Sequence, residues 1–477
     1  MKQLFLPTLL GAALLSASCG TSKKTSTSLV TKGQVNYWTT TADQNKLLAP
    51  GTPLTFGANN SALPTIAIDS MSVFQGIDGF GYTLTGGSAV MLNQMSKEAR
   101  KALLQELFGN GKNDIGISYL RVSIGASDLN ESAWSYDDIP AGQEDLKLEK
   151  FTLALDQAGG KGTGLIPLLK EILAINPNIP ILGSPWSPPA WMKDNGATKG
   201  GKLLPKYYDV YARYFVKYIQ EMKKEGITID AITIQNEPLH PGNNPSLLMV
   251  AEDQRDFVKQ ALGPVFKQNN IKTKIIIYDH NLDKPEYPMT ILADPEAAKY
   301  VDGSAFHLYA GKIDVMSKVH EAYPQKNLYF TEQWTGKRTS FRDDLLWHTK
   351  NVVIGAMRNW SRNSLAWNLA NDTAYKPHTP GGCTECKGAL TINNDVVMRN
   401  VAYYTVAHAS KFIPVGSKRI ASNNEGTITT AAFLTPKGDK VLIVCNDAKE
   451  AKQFNVKTNS QTFTSTIPAE SVITYTW

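Results

Sequence analysis

Between about residues 72 and 405 the chain repeats one unit, a short β-rich run followed by a helical pattern. The runs fall at 73–80, 118–124, 179–184, 229–235, 274–279, 303–308, 327–331 and 364–367. Strands that alternate with helices must run parallel, because each helix returns the chain to where the next strand starts. Several runs are apolar almost throughout, as strands covered on both faces require. About eight such units is the number that closes a (β/α)₈ barrel. The clearest intervening helix spans 205–225. Pro205 suits its first turn and Gly226 its end, while Tyr208, Tyr211, Phe215, Tyr218, Ile219 and Met222 share one face. That tyrosine stripe is expected to pack against the barrel rather than hold a ligand.

The two ends read differently. Residues 34–70 hold short Thr-rich runs, and the last segment alternates like antiparallel strands at 427–434, 440–446 and 471–477, with Gly, Asn, Asp and Pro turns between. Both ends are expected to build one β-sandwich. The expected plan is a signal segment at 1–18, a tether at 19–33, N-terminal sandwich strands at 34–70, the barrel at 71–408 and the C-terminal sandwich at 409–477. A net charge of +6 over 477 residues, with no dense Lys or Arg run, argues against a nucleic-acid partner.

Lys2 precedes an apolar stretch at 4–15 that is too short to span a bilayer. Ser16-Ala17-Ser18-Cys19-Gly20 follows and resembles a bacterial lipoprotein signal, with Cys19 as the lipidated first residue of the mature chain. The leucine usual three residues before that cysteine lies four before it, at Leu15; the alternative is an ordinary signal peptide with a chance cysteine. Membrane attachment is expected only through Cys19, on an outer membrane whose face the sequence does not choose. Cys383 and Cys386 form one C-x-x-C, open to three readings: a local disulfide, slightly favoured; half a zinc site; or a plain loop. Cys445 lies in the apolar run 441–445.

Two glutamates end candidate strands. Glu237 closes the fourth in Gln235-Asn236-Glu237-Pro238, and Glu332 the seventh in Phe330-Thr331-Glu332-Gln333-Trp334. In a closed barrel the carboxyl ends of the strands converge on one cleft, and strands four and seven face each other across it. Glycoside hydrolysis needs such a pair, one carboxylic acid to protonate the leaving oxygen and one carboxylate to meet the oxocarbenium-like carbon. Either residue alone is an ordinary strand-end acid; the pairing carries the argument. It assigns Glu237 as acid/base and Glu332 as nucleophile, with Asn236 placed to bond a sugar 2-hydroxyl. No cluster of His, Cys and carboxylates has metal-ligand spacing, and the chemistry calls for no cofactor.

Here the chain resembles glycoside hydrolase family 30, which includes glucosylceramidases and endo-β-1,6-glucanases. The resemblance rests on an ordered series: Gly79-Phe80-Gly81, Leu120-Arg121-Val122-Ser123, Ser184-Pro185-Trp186-Ser187-Pro188-Pro189-Ala190-Trp191-Met192-Lys193, Gln235-Asn236-Glu237-Pro238, Asp294-Pro295-Glu296-Ala297-Ala298-Lys299-Tyr300-Val301, Trp367-Asn368-Leu369-Ala370 and Ser410-Lys411-Phe412-Ile413-Pro414. It implies a (β/α)₈ barrel fused to a β-sandwich built from both termini, and the same roles for Glu237 and Glu332. It also implies that Arg121, Asp128, Trp186, Asn236, His307, Tyr309 and Trp367 surround the first sugar.

The sequence departs from that pattern at Tyr82-Thr83-Leu84-Thr85-Gly86-Gly87, and at His307-Leu308-Tyr309 where glucosylceramidase has His-Trp-Tyr. Trp191-Met192-Lys193-Asp194-Asn195-Gly196 and Gly200-Gly201-Lys202-Leu203 look most like the β-1,6-glucanases. The expectation is therefore a retaining endo-β-1,6-glucanase acting on a β-linked glucan. The alternatives are an exo-acting β-glucosidase or glucosylceramidase, then xylan-directed activity, and, from another class, a non-catalytic glycan-binding lipoprotein.

Overall fold

Eight parallel strands close on themselves: Gly79–Thr83, Tyr119–Ser123, Ile181–Ser184, Ala231–Thr233, Lys274–Asn281, Val301–His307, Asn327–Glu332 and Ser361–Asn368, called first to eighth below. The eighth pairs with the first, from Asn363 against Gly79 to Asn368 against Thr83, and completes the cylinder. Gly81 allows the tight fit between first and second strands, since a Cβ there would lie 1.9 Å from the Tyr119 carbonyl oxygen. The computed structural model describes residues 1, 33–58, 60, 62–157, 162–459 and 461–477. Cys19 and nearly all of the signal and tether segments lie outside the described residues.

Side chains two apart on a strand share a face, so the barrel interior fills in layers. Tyr119, Leu182, Ala231, Ile276, Ala305, Tyr329 and Leu365 form an apolar layer. Two residues further along, the same strands present Arg121, Ser184, Thr233, His307, Thr331 and Trp367. The fifth strand breaks the count. Tyr278 and Asp279 have φ of 73° and 70°, and the pairing with the sixth strand slips between Ala305 and Phe306. This bulge turns Asp279 inward and leaves Tyr278 packed outside against Tyr287 and Phe306.

The chain ends meet in a second sheet system. Gln34–Thr41 pairs antiparallel with Ser471–Thr476, and Thr65–Gly76 pairs with both Lys418–Ser422 and Lys452–Thr458. The run expected at 73–80 is therefore two strands. Residues 73–76 finish a sandwich strand and the first barrel strand begins at Gly79. Between them the chain is pinned by Ile77 N to Ser417 O at 2.7 Å and by the Arg362–Asp78 ion pair at 2.6 Å. Lys440–Asn446 is buried on both faces: Leu442 and Val444 enter the sandwich core, while Val441, Ile443 and Cys445 join the barrel core.

The expected helix forms as Tyr208–Lys224 after a turn at Pro205–Tyr207, with its whole aromatic stripe buried. Cys383 and Cys386 form a disulfide, and Cys445 is a buried free thiol. Among the described residues no helix is long and apolar enough to cross a membrane.

Candidate active site

Arg121 stands at the centre of the upper barrel with no solvent exposure. Its Nη1 donates to Glu332 Oε2 at 2.5 Å, and its Nη2 to Asn236 Oδ1, Asp279 Oδ2 and Ser184 Oγ at 2.6, 3.0 and 3.2 Å. Asp279 collects the rest of the layer. Oδ2 also accepts from Ser184 and Thr233, and Oδ1 accepts from Thr331 at 2.6 Å and meets His307 Nε2 at 3.1 Å. The other His307 nitrogen, Nδ1, faces Glu237 Oε1 at 3.2 Å and Glu332 Oε1 at 3.9 Å. Tyr309 donates its hydroxyl to Glu332 Oε1 at 2.8 Å.

Glu237 follows the short fourth strand, held by Asn236 N to Pro185 O and Glu237 N to Asp279 O. Its φ is +45°, a conformation that a side chain with a Cβ adopts only where the surroundings impose it. One side-chain oxygen of Glu237 and one of Glu332 lie within 4.8 Å of each other, with a His307 nitrogen in the same cluster. Such a trio has the composition of a metal site. Here its donors are already engaged, Glu332 by a guanidinium and a phenol and His307 by Asp279, and a fixed cation 2.5 Å from one ligand opposes a second.

A cleft of ≈ 430 Å³ opens over these groups, a size that suits a small ligand. The catalytic and sugar-binding residues picked out by the sequence sit at or under it. Asp128, Trp186, Asn236, Glu237, Tyr309, Glu332 and Trp367 line it, and Arg121 and His307 lie beneath. The rings of Trp186 and Trp367 stack on each other at 5.3 Å, with the Arg121 guanidinium 4.9 Å from the Trp186 centroid. Tyr82, by contrast, turns away from the cleft and donates to Ala402 O at 2.9 Å. Sequence reasoning missed Asp279, although it ends the fifth run just as the two glutamates end theirs. It also missed His240, Asn243, His280, Asn281, Trp334 and the disulfide as lining groups. The disulfide is cleft wall: Cys383 N donates to Asp128 Oδ2 at 3.3 Å.

Residues 77–413 match the glycosyl hydrolase family 30 TIM-barrel domain, and residues 416–475 match the family 30 β-sandwich domain. The chain belongs to glycosyl hydrolase family 30. Within reach of this family 30 chain is the endo-1,6-β-D-glucanase BGN16.3 of Trichoderma harzianum, 32% identical, covering 100% of this chain and 99% of the relative. The lysosomal acid glucosylceramidase of Mus musculus is 29% identical, covering 85% and 81%. Among solved structures, the endo-β1,6-glucanase BT3312 superimposes with a TM-score of 0.85 at 37% identity, covering 93% of this chain and 99% of that one.

The electrostatics of the family 30 cleft follow from burial and pairing. Burial disfavours a charged His307 ring, yet Glu332, Asp279 and Glu237 outweigh it and raise its pKa to about 9. Burial, reinforced by Glu332, lifts Asp128 to about 7. Burial also lowers His280 to about 4 and so keeps it neutral. Arg121 and His307 overcome burial at Asp279 and hold that carboxylate far below its usual range. Burial pushes both glutamates up; the His307 ring then draws Glu237 down, and Glu332 stays raised.

Proposed function

We propose that this chain is a retaining endo-β-1,6-glucanase in which Glu332 is the nucleophile and Glu237 the acid/base. The observation that carries the mechanism is the carboxylate pair with oxygens within 4.8 Å. That is close to the roughly 5–5.5 Å of retaining sites and short of the ~6.5–9.5 Å that leaves room for an inverting water. The substrate rests on relatives of almost equal length that are endo-1,6-β-glucanases, at 32–37% identity.

The shifts described above, burial at Glu332 and the ring beside Glu237, would by themselves seat the pair's proton on Glu332. The hydrogen bonds weigh more. Glu332 accepts from a permanent cation at 2.5 Å and a phenol at 2.8 Å, whereas Glu237 meets one nitrogen of the titratable His307 ring at 3.2 Å, and that ring shares its charge with Asp279 at 3.1 Å. Charge-assisted contacts at the shorter range are the strong ones, so Glu332 is ionised and Glu237 keeps the proton.

The steps then balance. Glu332 forms a bond to the anomeric carbon as the glycosidic C–O bond breaks, and the leaving oxygen takes the Glu237 proton. Glu237, now a carboxylate, takes a proton from water, whose oxygen displaces Glu332 and restores both residues. Arg121 fixes the Asn236 amide through its oxygen, so that its NH₂ is turned to donate to a 2-hydroxyl. Asp128 offers an acceptor for other hydroxyls.

The test is a time course of the soluble form, lacking residues up to Cys19, on linear β-1,6-glucan. A ladder of oligosaccharides at the earliest points is expected. Glucose alone from the start points to exo cleavage, and no product sends the search to glucosides, glucosylceramide and xylans. We also propose that Cys19 carries a lipid that anchors the enzyme to the outer membrane, on the strength of the 1–20 signal pattern. Fatty-acid labelling in a bacterial host should be lost in Cys19→Ser; labelling that persists overturns the anchor.

A further inference from the structure

A second cavity, of ≈ 470 Å³, opens beside the catalytic cleft and is lined by Leu308, Tyr309, Lys312, Asp314, Trp347 and Asn351 among others. Tyr309 belongs to both. Its hydroxyl reaches Glu332 while the residue as a whole stays 38% exposed, so one side chain bridges the nucleophile and the side groove. Trp347 ends the helix Phe341–Trp347 and is 41% exposed, its ring set edge-on to His348 at 5.2 Å. Nothing in the hydrolytic steps above uses it.

The groove is built rather than loose. Its loop is tied to the end of the fifth strand by Tyr309 N to Asn281 Oδ1 at 2.9 Å and Leu282 N to Ala310 O at 3.1 Å. Gly311 has φ +87°, and a Cβ there would lie 2.3 Å from the Leu282 backbone, so this turn needs glycine. Asn351 Nδ2 donates to Trp347 O at 2.9 Å, which leaves the amide oxygen as an acceptor beside the indole. An aromatic face flanked by an amide, an ammonium and a carboxylate suits a pyranose, whose C–H face packs on the ring while its hydroxyls find polar partners.

We propose that this groove is a remote subsite that binds the same β-glucan chain beyond the catalytic cleft, with Trp347 as its stacking platform. The proposal rests on the β-1,6-glucan reading, and continuity through Tyr309 is what selects the substrate chain as the occupant.

Trp347→Ala is the test, with wild type and Trp347→Phe assayed alongside on polymeric β-1,6-glucan and on a β-1,6-linked trisaccharide. The expected result is a KM for polymer raised about five-fold, well beyond any change on the trisaccharide, with polymer kcat held and Trp347→Phe near wild type. An unchanged polymer KM, or equal losses on both lengths, overturns the subsite. A wild-type enzyme that cleaves neither glucan overturns the substrate reading and the subsite with it, whereas a wild type that cleaves both leaves the variant to judge the subsite alone.

Discussion

Arg121 touches Glu332, Asn236, Asp279 and Ser184 at once, from a position no solvent reaches. A charge so deeply placed costs several kcal/mol unless paired, and two carboxylates supply the pairing. The arrangement holds Glu332 as an oriented carboxylate and fixes Asn236 in the same stroke. Two substitutions separate the glutamates' roles. Glu332→Gln should lose turnover on every substrate by about a thousand-fold or more while keeping glucan affinity, since the variant still lines the cleft. A variant that still hydrolyses would end the nucleophile assignment. Glu237→Gln should lose about 10²–10⁴-fold on polymer, but far less on an aryl glycoside whose leaving group needs no proton. On polymer the alkaline limb of kcat/KM, set in the wild type by loss of the Glu237 proton, should vanish from the variant's residual activity. A limb that persists near pH 9 would point to His307, raised there by its carboxylate neighbours against the effect of burial.

At the level of elements, what the sequence made legible was whatever depends on local pattern. The alternation of runs and helices gave the barrel, and strand-end position placed Glu237 and Glu332 at its mouth, because both follow from chain-local periodicity. The bulge at Tyr278 and Asp279 was not legible. A strict two-residue count from Ile276 would have aimed Tyr278 inward, and only the slipped pairing with the sixth strand shows otherwise. The hidden consequence is large, for Asp279 closes the network between Arg121 and His307. The run at 73–80 misled for a related reason. β-prone residues continue across the point where the chain leaves the sandwich for the barrel, and the break is made by tertiary contacts to Ser417 and Arg362. Trp347 escaped notice because its role depends on a loop 33–39 positions earlier in the chain, which no periodicity links to it.

The whole molecule is joined by the strand Lys440–Asn446. Its even residues, Leu442 and Val444, fill the sandwich core, and its odd residues, Val441, Ile443 and Cys445, fill the barrel core. The sequence marked 440–446 as an antiparallel strand with an apolar run at 441–445, and that run is apolar at odd and even positions alike because both faces are covered. A strand shared in this way should make the two parts unfold together, although large chains of two parts often unfold in steps. Ile443→Ala and Leu442→Ala test this, since each empties a fully buried position and should cost roughly 2–5 kcal/mol, one from each core. Both variants should lower a single denaturation midpoint, with hydrolytic activity and tryptophan fluorescence lost over the same range. If Leu442→Ala instead melts in two steps, with activity surviving the first, the sandwich is a separate folding unit and its contact with the barrel adds little to the stability of the active site.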